Sequence, residues 1–197
     1  MIAGLILAAG ESRRMGRDKA LLTFHGKSFL EAIIQNLNAA GIEKITVVLG
    51  HHAEVIQAKV DLAAAQVVVN HEYQRGQTSS LQVGLEAVAR DQPDAVILCL
   101  VDHPAVSAEV IARLMEHFES THAPVIIPTH KGEHGHPVVI SKALFPELLA
   151  LLPGEPANAV IRKYRPETRF IEVADRGILI DVDEPRTYER LEEISRQ

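Results

Sequence analysis

A short loop near the start of the chain combines glycine with concentrated positive charge. The segment LILAAGESRRMGRDKALL, residues 5–22, opens as an apolar run that reaches Gly10. Four cations follow within nine residues of that glycine: Arg13, Arg14, Arg17 and Lys19. A glycine directly after a strand lets the backbone turn sharply and approach a ligand closely. Free backbone N–H groups beside fixed cations suit a polyphosphate. We therefore predict a polyphosphate site here, with an ordinary basic surface loop as the alternative.

Carboxylates in two distant segments could complete such a site by binding a divalent cation. Asp102 ends the aliphatic run AVILCLV, and Asp181 and Asp183 follow a second apolar run in LIDVDEP. Carboxylate oxygens are the protein ligands that Mg²⁺ takes beside substrate phosphates. We predict Asp102 as one metal ligand, with Asp183 or Asp181 as the second. A helix N-cap is the other interpretation of Asp183.

The elements that must position these groups alternate along the chain. Aliphatic runs predict strands at 2–7, 45–49, 67–69, 95–100, 125–127, 137–140, 170–173 and 178–180. Helical periodicity predicts helices over 28–41, 80–90, 107–118 and 185–197. This alternation predicts a three-layer α/β/α fold with a mainly parallel, Rossmann-like sheet, in which ligands bind at the carboxyl ends of the strands. We predict one domain over 1–197, with a nucleotide-binding half at about 1–120 and an acceptor-side half at 121–197.

The composition argues against several classes of function. A formal net charge of −6 argues against a protein that coats nucleic acid. No apolar run approaches the ~20 residues of a membrane span. Cys99 is the only cysteine, so no disulfide framework is possible. We expect a cytoplasmic protein with neither a nucleic-acid nor a membrane partner.

The basic loop resembles a known signature. Residues 7–22 match every fixed position of L-A-A-G-x-S-x-R-M-G-x-x-K-x-L-L, which is found in nucleotidyltransferases that activate small molecules with nucleoside triphosphates. Further likenesses follow in chain order at 70–85, 102–104, 135–138 and 181–185. Together these motifs are similar to the molybdenum cofactor cytidylyltransferase type of nucleotidyltransferase. The resemblance implies a fold of the nucleotide-diphospho-sugar transferase (GT-A-like) type.

The resemblance also implies a role for each motif. Arg14 and Lys19 would bind phosphate oxygens and, with Asp102, form the catalytic set. The implied nucleotide-binding residues are Leu7, Ala8, Ala9, Gly10, Gly16, Lys19, Asn70, Ser79 and Ser80. His136, in a G-H-P segment, and His103, beside Asp102, are candidates for contacting the acceptor. Arg13 and Arg17 fall at variable positions of the signature, and we expect their side chains in solvent.

The implied reaction is transfer of CMP from CTP to a phosphate-bearing acceptor, with Mg²⁺ or Mn²⁺ as cofactor and pyrophosphate as the second product. The acceptor that the resemblance matches best is molybdopterin, and a molybdoenzyme or its chaperone would be a further partner. Guanylyl-transferring relatives usually read L-A-G-G, so the methyl group of Ala9 favours a pyrimidine base. The open alternatives are GTP as donor, a sugar-1-phosphate or polyol phosphate as acceptor, and a non-catalytic nucleotide-binding module. A zinc site at His130, His134 and His136 is disfavoured, because no cysteine accompanies these histidines.

Overall fold

A central β-sheet with helices on both faces organises the chain. The computed structural model describes residues 1–195, and the side chains of residues 1–191. The strands are β1 Ile2–Ala8, β2 Thr23–Phe24, β3 Lys27–Ser28, β4 Ile45–Leu49, β5 Gln66–Val69, β6 Ala95–Leu100, β7 Val125–His130, β8 Glu133–His134, β9 Val138–Ser141 and β10 Arg169–Glu172. The α-helices are α1 Phe29–Ala39, α2 Ala53–Lys59, α3 Gln77–Val88, α4 Ala108–Thr121, α5 Phe145–Leu149, α6 Asn158–Lys163 and α7 Pro185–Ser195.

The strand order across the main sheet is β10-β7-β9-β6-β1-β4-β5, with β8 paired to β7. The run β6-β1-β4-β5 is parallel throughout, and β10 is parallel to β7. Strand β9 lies antiparallel between β6 and β7. The prediction of a mainly parallel sheet is therefore confirmed, with β9 as the inserted exception.

Strand β1 shows why the fold has three layers. All seven of its residues are buried. Alternate residues of a strand point to opposite faces of a sheet, and here Ile2 and Ile6 pack in one core with α1 and α4, whereas Leu5 and Leu7 pack in another with α3. A strand buried on both faces reads as a continuous aliphatic run, which is the pattern that predicts it.

The sequence prediction of a strand at 178–180 is wrong. Residues Arg176–Leu179 form a 3₁₀ turn, in which the Asp175 side chain accepts a hydrogen bond from the backbone N–H of Gly177. Ile178 is fully buried, so its apolar character reflects burial and not strand pairing. The turn carries the chain across the end of β6, where the Val182 N–H donates to the Asp102 carbonyl at 2.9 Å.

The predicted last helix is confirmed over Pro185–Ser195, and its last two residues, Arg196 and Gln197, lie outside the described residues. Among the helices that the structure describes, none combines the length and the hydrophobicity needed to cross a bilayer.

The turn at 176–179 depends on a close backbone approach. A Cβ added to Gly177 would lie 2.2 Å from the Ala105 carbonyl oxygen. We expect Gly177→Ala to lower the free energy of unfolding by about 1–3 kcal/mol, the usual cost of overpacking a tight contact. Urea denaturation measures it, and an unchanged unfolding midpoint would show that this approach is not a constraint.

Candidate active site

A pocket of about 340 Å³ opens at the carboxyl ends of β1 and β6. Its floor is the backbone that leaves β1, and its walls come from the basic loop, the start of α3 and the residues that follow β6. The lining residues that were predicted from the sequence are Leu7, Ala8, Ala9, Gly10, Arg14, Lys19, Ser80, Asp102 and Asp183. The pocket thus joins the cationic loop to both acidic segments, as the sequence predicts.

Ser12 folds the basic loop. Its backbone takes φ +52°, and its carbonyl accepts hydrogen bonds from the N–H groups of Met15 and Gly16 at 3.0 Å each. The Ser12 hydroxyl accepts a third bond, at 3.2 Å, from the N–H of Lys19. Gly16 has φ +70°, a conformation that favours glycine, and it does not line the pocket. Gly16 is thus a turn residue, and Ser12 was missed among the candidates although it is a fixed position of the signature.

The Lys19 ammonium lies between carboxylates from two distant segments. Lys19 is only 9% exposed, although lysine is almost never buried without a partner. Its Nζ lies 3.3 Å from Oδ2 of Asp102 and also donates to Asp183. Arg14, which is exposed, donates to the other oxygen of Asp183. The loop and the two acidic segments are therefore held together by this cluster of four charged groups.

The aspartates at 181 and 183 have different electrostatic surroundings. Burial acts to raise the pKa of Asp183, but the hydrogen bonds and charges of Lys19 and Arg14 outweigh it and hold that pKa below its usual value. The pKa of Asp181 is raised by burial and by the negative charges of Asp102 and Asp183. Asp183 is thus neutralised by cations, whereas Asp181 faces like charges.

Two groups of side chains in the described part of the chain could hold a metal ion. Ligand atoms of Asp102, His103 and Asp181 lie within 4.8 Å of one another. The second group, which sequence reasoning missed, is Asp18, His51 and His52 near the mouth of the pocket. Its only sequence signal is a pair of histidines directly after β4.

Asn70 and Ser79 lie behind the wall of the pocket and stabilise it. The Asn70 amide donates to the hydroxyls of Ser79 and Ser80 at 2.9 and 3.0 Å, which ties the end of β5 to α3. Of these three residues only Ser80 lines the pocket. Tyr73 and Gln77, which the sequence analysis did not single out, also line it. The small hydroxyls of this segment therefore support the wall as well as facing the pocket.

The two histidines predicted on the acceptor side lie beside the pocket and do not line it. Their rings are 4.9 Å apart. Burial, and then the neighbouring His103, lower the pKa of His136 to about 4. His136 is therefore neutral at pH 7 and can offer hydrogen bonds but no positive charge.

The remaining predictions concern exposed side chains. Arg13 and Arg17 are exposed, as expected; Arg13 pairs with Glu11, and Arg17 lies over the ring of Tyr188. The histidines of the 130–136 segment form no shared metal-capable group within residues 1–191. Instead, His130 bonds the Val173 carbonyl at 3.0 Å.

Comparison with known proteins agrees with this geometry. The chain belongs to the MobA-like NTP transferase domain family, which residues 4–168 match. It is accordingly a nucleotidyltransferase. The structure of Rv0371c from Mycobacterium tuberculosis H37Rv superposes with a TM-score of 0.86 at 29% identity, covering 98% of this chain and 97% of that one. That likeness confirms the nucleotide-diphospho-sugar transferase type of fold. A complex of the same mycobacterial protein with manganese gives a TM-score of 0.82 at 27% identity, covering 98% of each chain.

Two curated relatives illustrate the range of names in this group. Nicotine blue oxidoreductase of Paenarthrobacter nicotinovorans is 29% identical over an alignment of 202 positions, gaps included. The alignment covers 96% of each chain. A probable molybdenum cofactor guanylyltransferase of Opitutus terrae is 34% identical over 107 residues, 54% of this chain and 50% of that one. The match therefore spans only half the length of the guanylyltransferase.

The burial of Lys19 between two carboxylates leads to a prediction about the stability of the protein. In Lys19→Met the chain keeps an apolar stem, but Asp102 and Asp183 lose their shared cation. We expect the free energy of unfolding to fall by about 1–3 kcal/mol, because Asp102 loses its cation and Asp183 keeps only the exposed Arg14. Added Mn²⁺ should restore part of that loss and raise the melting temperature more than it does in the wild-type protein.

Lys142→Met is the matched control for this experiment. Lys142 bonds Asp94 at 2.8 Å, but its side chain is 58% exposed. Exposed pairs contribute at most about 1 kcal/mol, so this variant should unfold almost like the wild type and respond to Mn²⁺ as the wild type does. An equal Mn²⁺ response of the two variants would contradict the role given to Lys19.

Proposed function

We propose that this nucleotidyltransferase transfers CMP from CTP to a phosphate-bearing acceptor and releases pyrophosphate. The observation that carries the proposal is the meeting of Lys19 with Asp102 and Asp183 at one pocket. Cations for the phosphates and carboxylates for a metal ion are the two requirements of phosphoryl-transfer sites. Family membership supports the reaction class. The choice of CTP and of the acceptor follows from the resemblance of the sequence motifs to molybdenum cofactor cytidylyltransferases, and Ala9 adds support for CTP.

The loop would act by positioning and by neutralising charge. We assign Arg14 and Lys19 to the triphosphate, whose oxygens would take over from Asp183 as their partners. Gly10 lines the same space, and backbone N–H groups at such a turn suit phosphate oxygens. An ionised acceptor phosphate attacks the α-phosphorus in line, and the bond to pyrophosphate breaks. An ionised phosphate needs no general base, so the rate of transfer depends on charge stabilisation and on the orientation of the reacting groups.

A divalent cation, Mg²⁺ or Mn²⁺, is part of the proposal. The residues fit it, because Asp102 Oδ1 is buried without a hydrogen-bond partner, as a ligand oxygen would be before the ion binds. Asp102 would hold the ion, with Asp183 as the second carboxylate and Asp181 as its alternative. When bound, the cation supplies neutralisation of phosphate charge during transfer. The manganese complex of the mycobacterial relative supports divalent-metal use.

Ala9 supports the choice of a pyrimidine base. Its methyl group packs where Gly50 and Tyr73 meet: a Cβ built at Gly50 would lie 2.9 Å from the Ala9 Cβ and 2.7 Å from the Tyr73 Cβ. Ala9 and Tyr73 both line the pocket, and in this proposal the Ala9 methyl group narrows the space for the base. We therefore propose CTP as donor and keep GTP as the alternative, since one relative is named a guanylyltransferase.

The proposed acceptor is molybdopterin, supported by the same partial relative. In this proposal residues 1–120 hold the nucleotide, residues 121–197 form the acceptor side of the same domain, and His136 contributes a hydrogen bond to the acceptor. A molybdoenzyme or its chaperone would receive the product in the cytoplasm. A sugar-1-phosphate or polyol phosphate is the alternative acceptor.

Asp102→Asn tests the metal requirement. We expect turnover to fall by about two to four orders of magnitude, because a neutral amide cannot replace a charged ligand to the ion. The assay measures pyrophosphate released from CTP with Mg²⁺ and purified molybdopterin, and mass spectrometry of the nucleotide product confirms the transfer. Pyrophosphate release reports nucleotidyl transfer and not the reduction named for the nicotine blue relative.

Asp91→Asn is the control, since Asp91 is an exposed carboxylate that pairs with Lys44 at 3.8 Å and does not line the pocket. It should keep wild-type turnover. Normal turnover by Asp102→Asn would remove Asp102 from the reaction.

The choice of base is tested by nucleotide binding. Calorimetric titration in Mg²⁺ should show CTP binding about tenfold or more tightly than GTP, a difference of about 1.4 kcal/mol. Ala9→Gly removes the methyl group between Gly50 and Tyr73 and should narrow that ratio by improving GTP binding. A purine preference of the wild-type protein would overturn the assignment of CTP, and an unchanged ratio in Ala9→Gly would show that Ala9 does not set it.

A further inference from the structure

The two oxygens of Asp102 face different groups. Oδ2 lies 3.3 Å from the Lys19 ammonium, and Lys19 in turn reaches Asp183. Oδ1 is buried without a hydrogen-bond partner and lies 3.8 Å from Nε2 of His103. The Oδ2 side of Asp102 therefore already faces a cation, whereas the Oδ1 side faces none in the described structure.

Three potential ligands meet on the side without a cation. Ligand atoms of Asp102, His103 and Asp181 lie within 4.8 Å of one another. His103 Nε2 lies 3.8 Å from Asp102 Oδ1, which is too long for a hydrogen bond. The negative charges of Asp102 and Asp181 repel each other at this distance. A cation between them would relieve that repulsion.

The His103 ring is fixed at this position. Its side chain is only 11% exposed, its backbone N–H donates to the Leu100 carbonyl at 3.1 Å, and its ring lies against that of His136. Its Nδ1 is buried and unpaired in the described structure. The nitrogen that faces the carboxylates is Nε2, which lies 3.8 Å from Asp102 Oδ1, too far for a hydrogen bond. This nitrogen is therefore placed to bind an ion beside Asp102.

We infer that His103 Nε2 and Asp181 join Asp102 Oδ1 in binding the divalent cation, and that the site therefore selects Mn²⁺ over Mg²⁺. Mg²⁺ takes oxygen ligands and gives up its water reluctantly, whereas ions such as Mn²⁺ bind a neutral imidazole more readily. The inference rests on the proposed function in that Asp102 holds the cation there too. It moves His103 from the acceptor to the metal and makes Asp181 a ligand in its own right.

The test is pulsed electron paramagnetic resonance of Mn²⁺ bound to the full-length protein. A directly coordinated imidazole couples its nitrogen nucleus to the Mn²⁺ electrons, so the wild-type protein should show ¹⁴N modulation. In His103→Gln that modulation should vanish, and Mn²⁺ affinity should fall by about tenfold or more. Mg²⁺ affinity, measured by competition against Mn²⁺, should change by less than about threefold, because the glutamine oxygen suits Mg²⁺.

Two further variants complete the design. His117→Gln changes a histidine of α4 that belongs to neither metal-capable group and does not line the pocket, and it should keep both the ¹⁴N modulation and the Mn²⁺ affinity. Asp181→Asn should weaken Mn²⁺ and Mg²⁺ together. An unchanged affinity for both ions in Asp181→Asn would exclude Asp181 as a ligand.

The outcomes separate this inference from the proposed function. If the wild-type protein binds Mn²⁺, loses it in Asp102→Asn and shows no ¹⁴N modulation, His103 is not a ligand, and the inference fails while the metal role of Asp102 stands. If the wild-type protein binds no Mn²⁺ even with CTP present, the metal part of both proposals fails. Where His103→Gln does not fold, loss of the wild-type ¹⁴N modulation in Asp102→Asn supports the inference, and modulation that persists there assigns the nitrogen to the second group, Asp18, His51 and His52, and overturns it.

Discussion

The structure depends on one interaction, the burial of the Lys19 ammonium between Asp102 and Asp183. Each partner comes from a different part of the chain: the loop after β1, the end of β6 and the segment before α7. A buried ammonium without partners is unfavourable by several kcal/mol, so these three segments must meet if Lys19 is to stay inside. A small apolar cluster reinforces the meeting, because Met15 of the loop packs with Val182 and with Leu191 of α7.

The parallel sheet makes that meeting possible. Strands β1 and β6 are adjacent and parallel, with Leu7 opposite Leu100, so the residues that follow them leave the same edge side by side. This much could be predicted from the sequence, because doubly buried strands are continuous aliphatic runs and Asp102 ends one of them. The basic loop could be predicted for the same local reason, since its glycine and cations are neighbours along the chain.

What the sequence could not predict depends on contacts between distant segments. The apolar residues at 178–180 predict a strand, but the close approach of the Ala105 carbonyl to Gly177 and the Asp175 cap produce a 3₁₀ turn there. The sequence predicts Asn70 and Ser79 as nucleotide contacts. In the structure the Asn70 amide donates a hydrogen bond to the Ser79 hydroxyl, and neither residue lines the pocket. The difference between Asp181 and Asp183 is also invisible in a linear sequence, because it arises from which of them Lys19 and Arg14 can reach.

The long separation between Lys19 and Asp183, 164 positions, has a consequence for biosynthesis. On the ribosome the basic loop and β1 emerge first, β6 follows, and the segment at 181–183 comes last of the three, since chains fold in the order of translation. Lys19 therefore stays hydrated until that last segment is free to join it. A nascent chain that stops short of residue 181 would hold β1 and β6 but not the charged cluster that closes the pocket.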